Sequence, residues 1–233
     1  MVTGQDRHTK QCEKCRKFSP LYRHLTDEEF DMLHHSSCSV DFRAGEVIIK
    51  QGTRAHNVVS FVRGFARLYR EGHNGKDLII SFIKPWNILA DPGVHDDGIH
   101  KFSVNAVADS SVCFIELERF REVMKRNHDL TDRYLAHISQ VYGNALQRMV
   151  GLTQKQMHGR IADALLYLSK DVFQSDTFSG LITRQDIADY SAMSKDSAIR
   201  ILKALEKDAV ITIRGNTYRI LRKDHLVKLS ENG

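Results

Sequence analysis

Four side chains near the C-terminus, Lys195, Asp196, Ile199 and Arg200, have the types and spacing to read the edges of base pairs. Arginine or lysine donates to guanine O6 and N7, a carboxylate accepts from cytosine N4, and an apolar side chain touches a thymine methyl. On the opposite face Ala198, Ile201, Leu202 and Leu205 recur at the i, i+3, i+4, i+7 spacing of a buried helical stripe, with Ser194 placed as N-cap. An amphipathic basic helix of this kind is equally compatible with an ordinary solvated surface, so its neighbours decide.

Just upstream, Thr183 and Asp186 have the spacing of a capping box, and Ile187 and Ala188 follow as inward-facing positions of a second short helix. Residues 181–211 thus read as two helices joined by a tight turn. Downstream, residues 210–220 alternate about Gly215-Asn216, the pattern of a hairpin. Arg214, Arg219, Arg222 and Lys223 cluster around that hairpin, where phosphates would pass if the preceding helix lay in a groove. Helix, helix and basic hairpin make a winged helix-turn-helix, and double-stranded DNA is the partner they imply.

Two segments, Thr183-Arg184-Gln185-Asp186-Ile187-Ala188 and Ser194-Lys195-Asp196-Ser197-Ala198-Ile199-Arg200-Ile201-Leu202-Lys203, resemble the DNA-binding motifs of the CRP/FNR superfamily of bacterial transcription regulators. The resemblance implies base reading by Lys195, Asp196 and Arg200, with Ile199 beside them. It implies phosphate contacts from Thr183, Arg184 and Gln185, joined by Ser194, Lys203 and Arg214. Lysine and aspartate stand where the family commonly has arginine and glutamate, losing a rigid bidentate fork and one methylene of reach. A half-site different from the family's commonest one follows.

The elements that must position these side chains occupy a chain of 233 residues, 42% of them hydrophobic, enough for one large core or two ordinary ones. No apolar run approaches the roughly 20 residues of a membrane span, and residues 1–17 are polar and charged, unlike a signal peptide. A cytoplasmic protein without membrane association is expected. The net charge of +5 has its excess mainly in the last third, weak support for a nucleic-acid partner.

Residues 18–33 read as helical, with Thr26 and Glu29 at capping-box spacing. Between Phe42 and Glu116, short β-rich runs (46–50, 58–62, 66–69, 78–82, 103–107 and 112–115) alternate with glycine-centred turns, suggesting a sandwich or barrel. Arg43-Ala44-Gly45-Glu46, Gln51-Gly52, Val62-Arg63-Gly64, Gly75-Lys76 and Lys84-Pro85 resemble the sensory β-roll of the same superfamily. Trp86 stands where glycine commonly follows Lys-Pro, so a turn of different shape is expected there. Leu135, Ile138, Tyr142, Ala145, Met149 and Leu152 alternate three- and four-residue steps, the seam of a coiled coil and hence of a homodimer. Packing of that stripe on the chain's own β-roll is the alternative. Two-fold symmetry favours the dimer, because it sets two recognition helices about 34 Å apart. The fold class is α+β: a cyclic-nucleotide-binding-like β-roll, or jelly roll, over residues 18–126, a dimerisation helix over 127–152, and a winged helix-turn-helix over 153–233.

The effector is less legible. Family members that bind cyclic nucleotides carry a Gly-Glu pair for the ribose and Arg-Ser or Arg-Thr for the phosphate. Here those places read Leu89-Ala90-Asp91-Pro92-Gly93 and Phe102-Ser103. A buried phosphate without its cation is costly, so cyclic AMP is not the expected effector, although His95, His100 or Lys101 could substitute. Oxygen sensors of the family hold a [4Fe–4S] cluster through N-terminal cysteines and one in the β-roll, which the resemblance carries to Cys12, Cys15 and Cys113, with Cys38 or a histidine completing the set. Cys12-Glu13-Lys14-Cys15 also fits zinc or a thiol switch, and Cys38 and Cys113 are equally compatible with small buried residues. Haem is a further reading, with 12 histidines but no spacing that selects a ligand. A cupin-like metalloenzyme is the alternative of another class. It lacks its signature, since no strand carries His-x-His and no G-x-S-x-G elbow or phosphate-binding glycine loop occurs. The expectation is therefore a regulator and not an enzyme, with RNA polymerase as the further partner that family habit implies.

Overall fold

The computed structural model describes residues 14–89 and 91–233, without the side chains of residues 74, 179 and 232. Cys12 and Ala90, named above, lie outside the described residues. The chain divides into two compact units: one holds the described residues up to Leu68 with Ile83–Gly143, the other Tyr69–Phe82 with Asn144–Gly233.

The first unit is built on antiparallel strands. Helix α1 (Asp27–His35) begins with the expected capping box: Glu29 N–H donates to the Thr26 hydroxyl (3.3 Å) and Thr26 N–H to the Glu29 carboxylate (2.9 Å). The same extended Thr26 ends what precedes it, so the helix expected over residues 18–33 is divided. Only a 3-10 turn, Tyr22–His24, stands before Thr26, after a helical segment at residues 14–18. Strands β1 (Ser37–Phe42), β2 (Val47–Ile49), β3 (Asn57–Arg70), β4 (Leu78–Ile83) and β5 (Ser103–Glu116) form one sheet ordered β1-β5-β3-β4, with β2 also pairing β5; the end of β3 from Tyr69 and β4 as far as Phe82 are assigned to the second unit. In the β1/β5 register Cys38 faces Phe114 and Ser39 faces Cys113.

Two pairs of runs expected as separate strands are single 14-residue strands, β3 and β5. The reason lies at Gly64, which takes φ +100° where β3 passes Asp109 and Ser110; a Cβ there would collide with Ser110 and the Asp109 carbonyl. Glycine at this point accommodates a close approach instead of turning the chain. Trp86 is a second position of unusual backbone. It adopts φ +71°, a left-handed backbone that favours glycine and costs another residue about 1–2 kcal/mol. Its ring is half-buried and packs on Phe18, with centroids 5.3 Å apart.

Helices α2 (Leu117–Arg126) and α3 (His128–Gln154) follow the sheet, and Phe120, Val123 and Leu130 are fully buried in the core. Full burial of each contributes roughly 1.5–3 kcal/mol. Asn127 separates the two helices: its side-chain oxygen accepts from Leu130 N–H (2.8 Å), starting α3, while its amide donates to Glu29 (2.8 Å), tying that start to α1.

The second unit contains helix α4 (Met157–Tyr167), a π-helical turn Leu168–Val172, strand β6 (Thr177–Ser179), α5 (Arg184–Tyr190), α6 (Lys195–Lys207), β7 (Ile211–Arg214), β8 (Thr217–Ile220) and α7 (Lys223–Asn232). Ile161, Leu165, Ile187, Ile201, Leu202 and Leu226 supply its core. The hairpin expected after α6 is present and gains β6, which is too short to show alternation in sequence, giving the order β6-β8-β7. The expected α+β architecture is thus found: an antiparallel sensory sheet, a long helix, and a helix-turn-helix with a hairpin wing.

Candidate nucleic-acid interface

Helices α5 and α6 owe their starts to the two caps expected from sequence. Asp186 N–H donates to the Thr183 hydroxyl (3.1 Å), and the Asp186 carboxylate accepts from Thr183 N–H (2.8 Å) and from that same hydroxyl (2.6 Å). Ser194 accepts from Ser197 N–H (3.2 Å) at the head of α6. Between them the chain turns through Ala192, held at φ +50°. Arg160 of α4 braces this turn by donating to the carbonyls of Ser191 (3.3 Å) and Ala192 (3.2 Å), while the Ser191 hydroxyl donates back to the Arg160 carbonyl (3.3 Å). Nothing in the sequence singles out Arg160, because an arginine on an amphipathic helix ordinarily points to solvent.

The two faces of α6 separate as expected. Ala198, Ile201, Leu202 and Leu205 are buried, whereas Lys195, Asp196, Arg200 and Lys203 are exposed and Ile199 is half-buried among them. Among the described residues none of Lys195, Asp196, Arg200 and Lys203 has a hydrogen-bonding or ion-pairing side-chain partner, although ion pairs are frequent elsewhere in the chain. At the wing, Gly215 takes φ +61° at the first position of the two-residue turn, where glycine is favoured. Arg214 and Arg219 are exposed beside it. Glu206 of α6 accepts from Ile213 N–H (2.9 Å), which fixes the wing to the helix. Lys223 is engaged within the chain, 2.7 Å from the Asp176 carboxylate. Of the other phosphate-contact candidates, Thr183 is exposed with its hydroxyl in the capping box, Arg184 is half-buried, and the Gln185 amide donates to Asp189 (2.7 Å).

Along α3, Leu135, Tyr142, Ala145 and Met149 of the seam are exposed, while Ile138 is half-buried against the first unit's core and Leu152 is half-buried. Val141, Leu146 and Val150 widen the exposed apolar stripe beyond the residues picked out by heptad spacing.

In the sensory unit, the acidic and basic side chains of residues 91–101, the segment that the resemblance sets against the family's nucleotide-binding positions, pair with one another. Asp91 is buried, with its carboxylate 2.5 Å from His100 Nδ1 and accepting from Gly93 N–H (3.0 Å). Lys101 pairs with Asp97, and Asp96 lies 3.8 Å away. His95 contacts the Tyr134 hydroxyl (3.1 Å); burial and the neighbouring Arg121 pull its pKa below the ordinary histidine value, favouring the neutral ring.

Cys15 and Cys113 come together, both buried, at one apolar cavity lined also by Tyr22, Phe30, Leu33 and Ser60. Burial pushes the Cys15 thiol up to about 12; Cys113 adds to this and a Ser60 hydrogen bond opposes it. Cys38 is exposed on β1. Among the described residues no three Cys, His, Asp or Glu side chains converge as a metal site, so they supply two thiols toward the four ligands a [4Fe–4S] cluster takes. No described helix is long and apolar enough to cross a membrane.

Comparison with known proteins agrees with this geometry in both halves. Residues 39–127 match the cyclic nucleotide-binding domain family, and residues 159–229 the Crp-like helix-turn-helix domain family. The chain is 26% identical over 187 residues to the cAMP-activated global transcriptional regulator CRP of Shigella flexneri, covering 78% of this chain and 89% of that one. It is 24% identical over 223 residues to the transcriptional activator protein FnrL of Cereibacter sphaeroides, covering 92% and 85%. The structure of FixK2 from Bradyrhizobium japonicum shares the fold with a TM-score of 0.75 at 20% identity, over 83% of this chain and 96% of that one. A sensory sheet followed by a braced helix-turn-helix with an unpaired ionic face, matched in both halves by these families, places the chain in the CRP/FNR family of DNA-binding transcription regulators.

Proposed function

We propose that two copies of this chain associate through α3 and bind a two-fold symmetric promoter site, with one α6 in each of two successive major grooves. The observation that carries this reading is the exposed set Lys195, Asp196 and Arg200, without side-chain partners among the described residues, on a helix capped and braced from beneath. Ionic groups without internal partners cost little to bring to a base edge, because no existing bond must break. Lys203, Arg214 and Ser194 border that face and take the phosphates, with Thr183, Arg184 and Gln185 at the other helix. The exposed stripe Leu135, Tyr142 and Met149 supports the dimer, since covering it removes apolar surface from water. RNA polymerase is the downstream partner and the cytoplasm the compartment, both by family habit.

The effector of the sensory sheet is something other than cyclic AMP. A cyclic phosphate at residues 91–101 would meet the buried Asp91 carboxylate, with His100 and Lys101 already held by acidic neighbours. Calorimetric titration of the full chain with cyclic AMP tests this: no heat of binding is expected, and a micromolar dissociation constant would refute it. A redox-sensing reading is favoured by one observation, the meeting of Cys15 and Cys113. Iron and zinc analysis with an absorption spectrum on protein purified without oxygen decides it: a broad band near 400 nm with about four irons per chain supports a cluster, a sharp Soret band supports haem, and a colourless metal-free protein removes both.

A further inference from the structure

Arg148, in the C-terminal half of α3, spends its guanidinium on backbone carbonyls and aromatic faces. One terminal nitrogen donates to the Ile80 carbonyl (2.6 Å), and the other donates to the carbonyls of Ile79 and Tyr190, the latter at 2.7 Å. The guanidinium carbon lies 4.0 Å from the centroid of the Tyr190 ring, which stacks on Tyr167 at 4.7 Å with the planes 6° apart. Phe82 completes the cluster, 6.3 Å from Tyr190 and 6.5 Å from Tyr167, and its N–H donates to the Tyr167 hydroxyl (3.2 Å). All these residues belong to the second unit, which takes in Tyr69–Phe82 from the β3–β4 hairpin.

The guanidinium has no carboxylate partner among the described residues. Burial pulls its pKa down, while Tyr190 and Tyr167 act in the opposite direction. A cation held this way depends on geometry, because carbonyl dipoles and ring faces offset its lost hydration only when they are aimed at it. Lysine could keep the charge, but it has neither the planar fork that reaches these carbonyls nor the flat face that stacks on Tyr190. Three pieces of chain converge on this one side chain: β4, α3, and the last residue of α5, immediately before the turn into α6.

We propose that Arg148 is a positioning residue for DNA binding, which by gathering the Ile79, Ile80 and Tyr190 carbonyls fixes the direction of α5, and with it α6, relative to the C-terminal half of α3, from Asn144 onward, that lies in the same unit. The inference rests on the symmetric-dimer reading above. A pair of recognition helices so held accepts one half-site spacing and rejects others. Without the clamp each helix-turn-helix still folds and reads its own half-site, but the pair no longer fits one spacing.

The test uses the full chain and duplexes selected by the wild type from a random pool. Three probes are compared by fluorescence anisotropy: the selected duplex, a duplex carrying one half-site, and duplexes with the spacing changed by one or two base pairs. For Arg148→Met the expected result is at least a tenfold loss on the selected duplex, unchanged half-site affinity, and a flattened spacing preference, with Arg148→Lys giving little rescue. Tyr190→Leu keeps the backbone carbonyl and removes the ring face; it should show the same pattern more weakly, and it serves if Arg148→Met does not fold. Equal losses on full and half sites, or an unchanged spacing profile in a folded variant, would overturn the proposal. If the wild type enriches no duplex at all, the DNA-binding reading fails first and is recognised by that result alone.

Discussion

The recognition helix and the sensory segment at residues 91–101 carry similar side chains and treat them in opposite ways. On α6, Lys195, Asp196, Arg200 and Lys203 stand exposed, without side-chain partners among the described residues. In the sensory segment His100 is held by Asp91 and Lys101 by Asp97. A surface that receives a polyanion keeps its cations available, whereas a segment whose cations are answered by its own carboxylates has no charge left to offer a phosphate. The difference explains why one half of the molecule is legible as a DNA reader, while the other, matched to a cyclic nucleotide-binding family, does not disclose its effector.

The comparison breaks most severely if the two recognition helices act independently. Tyr142→Asp with Met149→Asp places charge on the exposed stripe of α3; we expect monomers in sedimentation and a roughly 10²- to 10⁴-fold loss of DNA affinity, the range that linking two binding modules provides. Monomeric wild type with undiminished affinity would remove the dimer. Arg200→Ala should cost about 1–3 kcal/mol on the selected site and relax preference at one base position, whereas Arg184→Ala should weaken selected and random duplexes alike. Equal losses on both duplexes from both variants would erase that division. Thr183→Ala removes the hydroxyl of the α5 capping box and should cost about 1 kcal/mol of stability by chemical denaturation.

The sensory half offers two smaller tests. In a Cys12→Ser background a thiol reagent at pH 8 should label the exposed Cys38 fast and Cys15 slowly, because a thiol pushed up to about 12 holds almost no thiolate at that pH. Equal rates would show the cavity open. The Glu29 carboxyl is opposed by burial, but hydrogen bonds from Thr26 N–H, Asn127 and the Thr26 hydroxyl outweigh this and pull its pKa below 4.5. Its contribution to stability is present above pH 4.5 and fades as pH falls through the folded value. Denaturation midpoints between pH 6 and pH 3 should therefore drop more steeply in wild type than in Glu29→Gln.

Features set by local chemistry were legible in sequence. The capping boxes at Thr26 and Thr183, the Ser194 cap, the buried stripe of α6 and the turn at Gly215 each depend on residues within a few positions of one another. What escaped depends on distant partners. Gly64 read as a turn because glycine ends strands in isolation, and only the approach of Ser110 shows why β3 runs through it. Trp86 shows the reverse case, a side chain forced into a glycine backbone by the chain around it. Arg148 and Arg160 are arginines on helices, and nothing local distinguishes them from solvated ones; their acceptors are carbonyls far along the chain.

The most direct test of the central claim is selection of duplexes from a random pool by the full-length wild type, followed by sequencing. The expected result is a two-fold symmetric motif whose half-sites are about one helical turn, 10–10.5 base pairs, apart centre to centre, with sequence preference lost at one position in each half when Arg200→Ala is selected in parallel. A single asymmetric motif, or no enrichment over the starting pool, would contradict it.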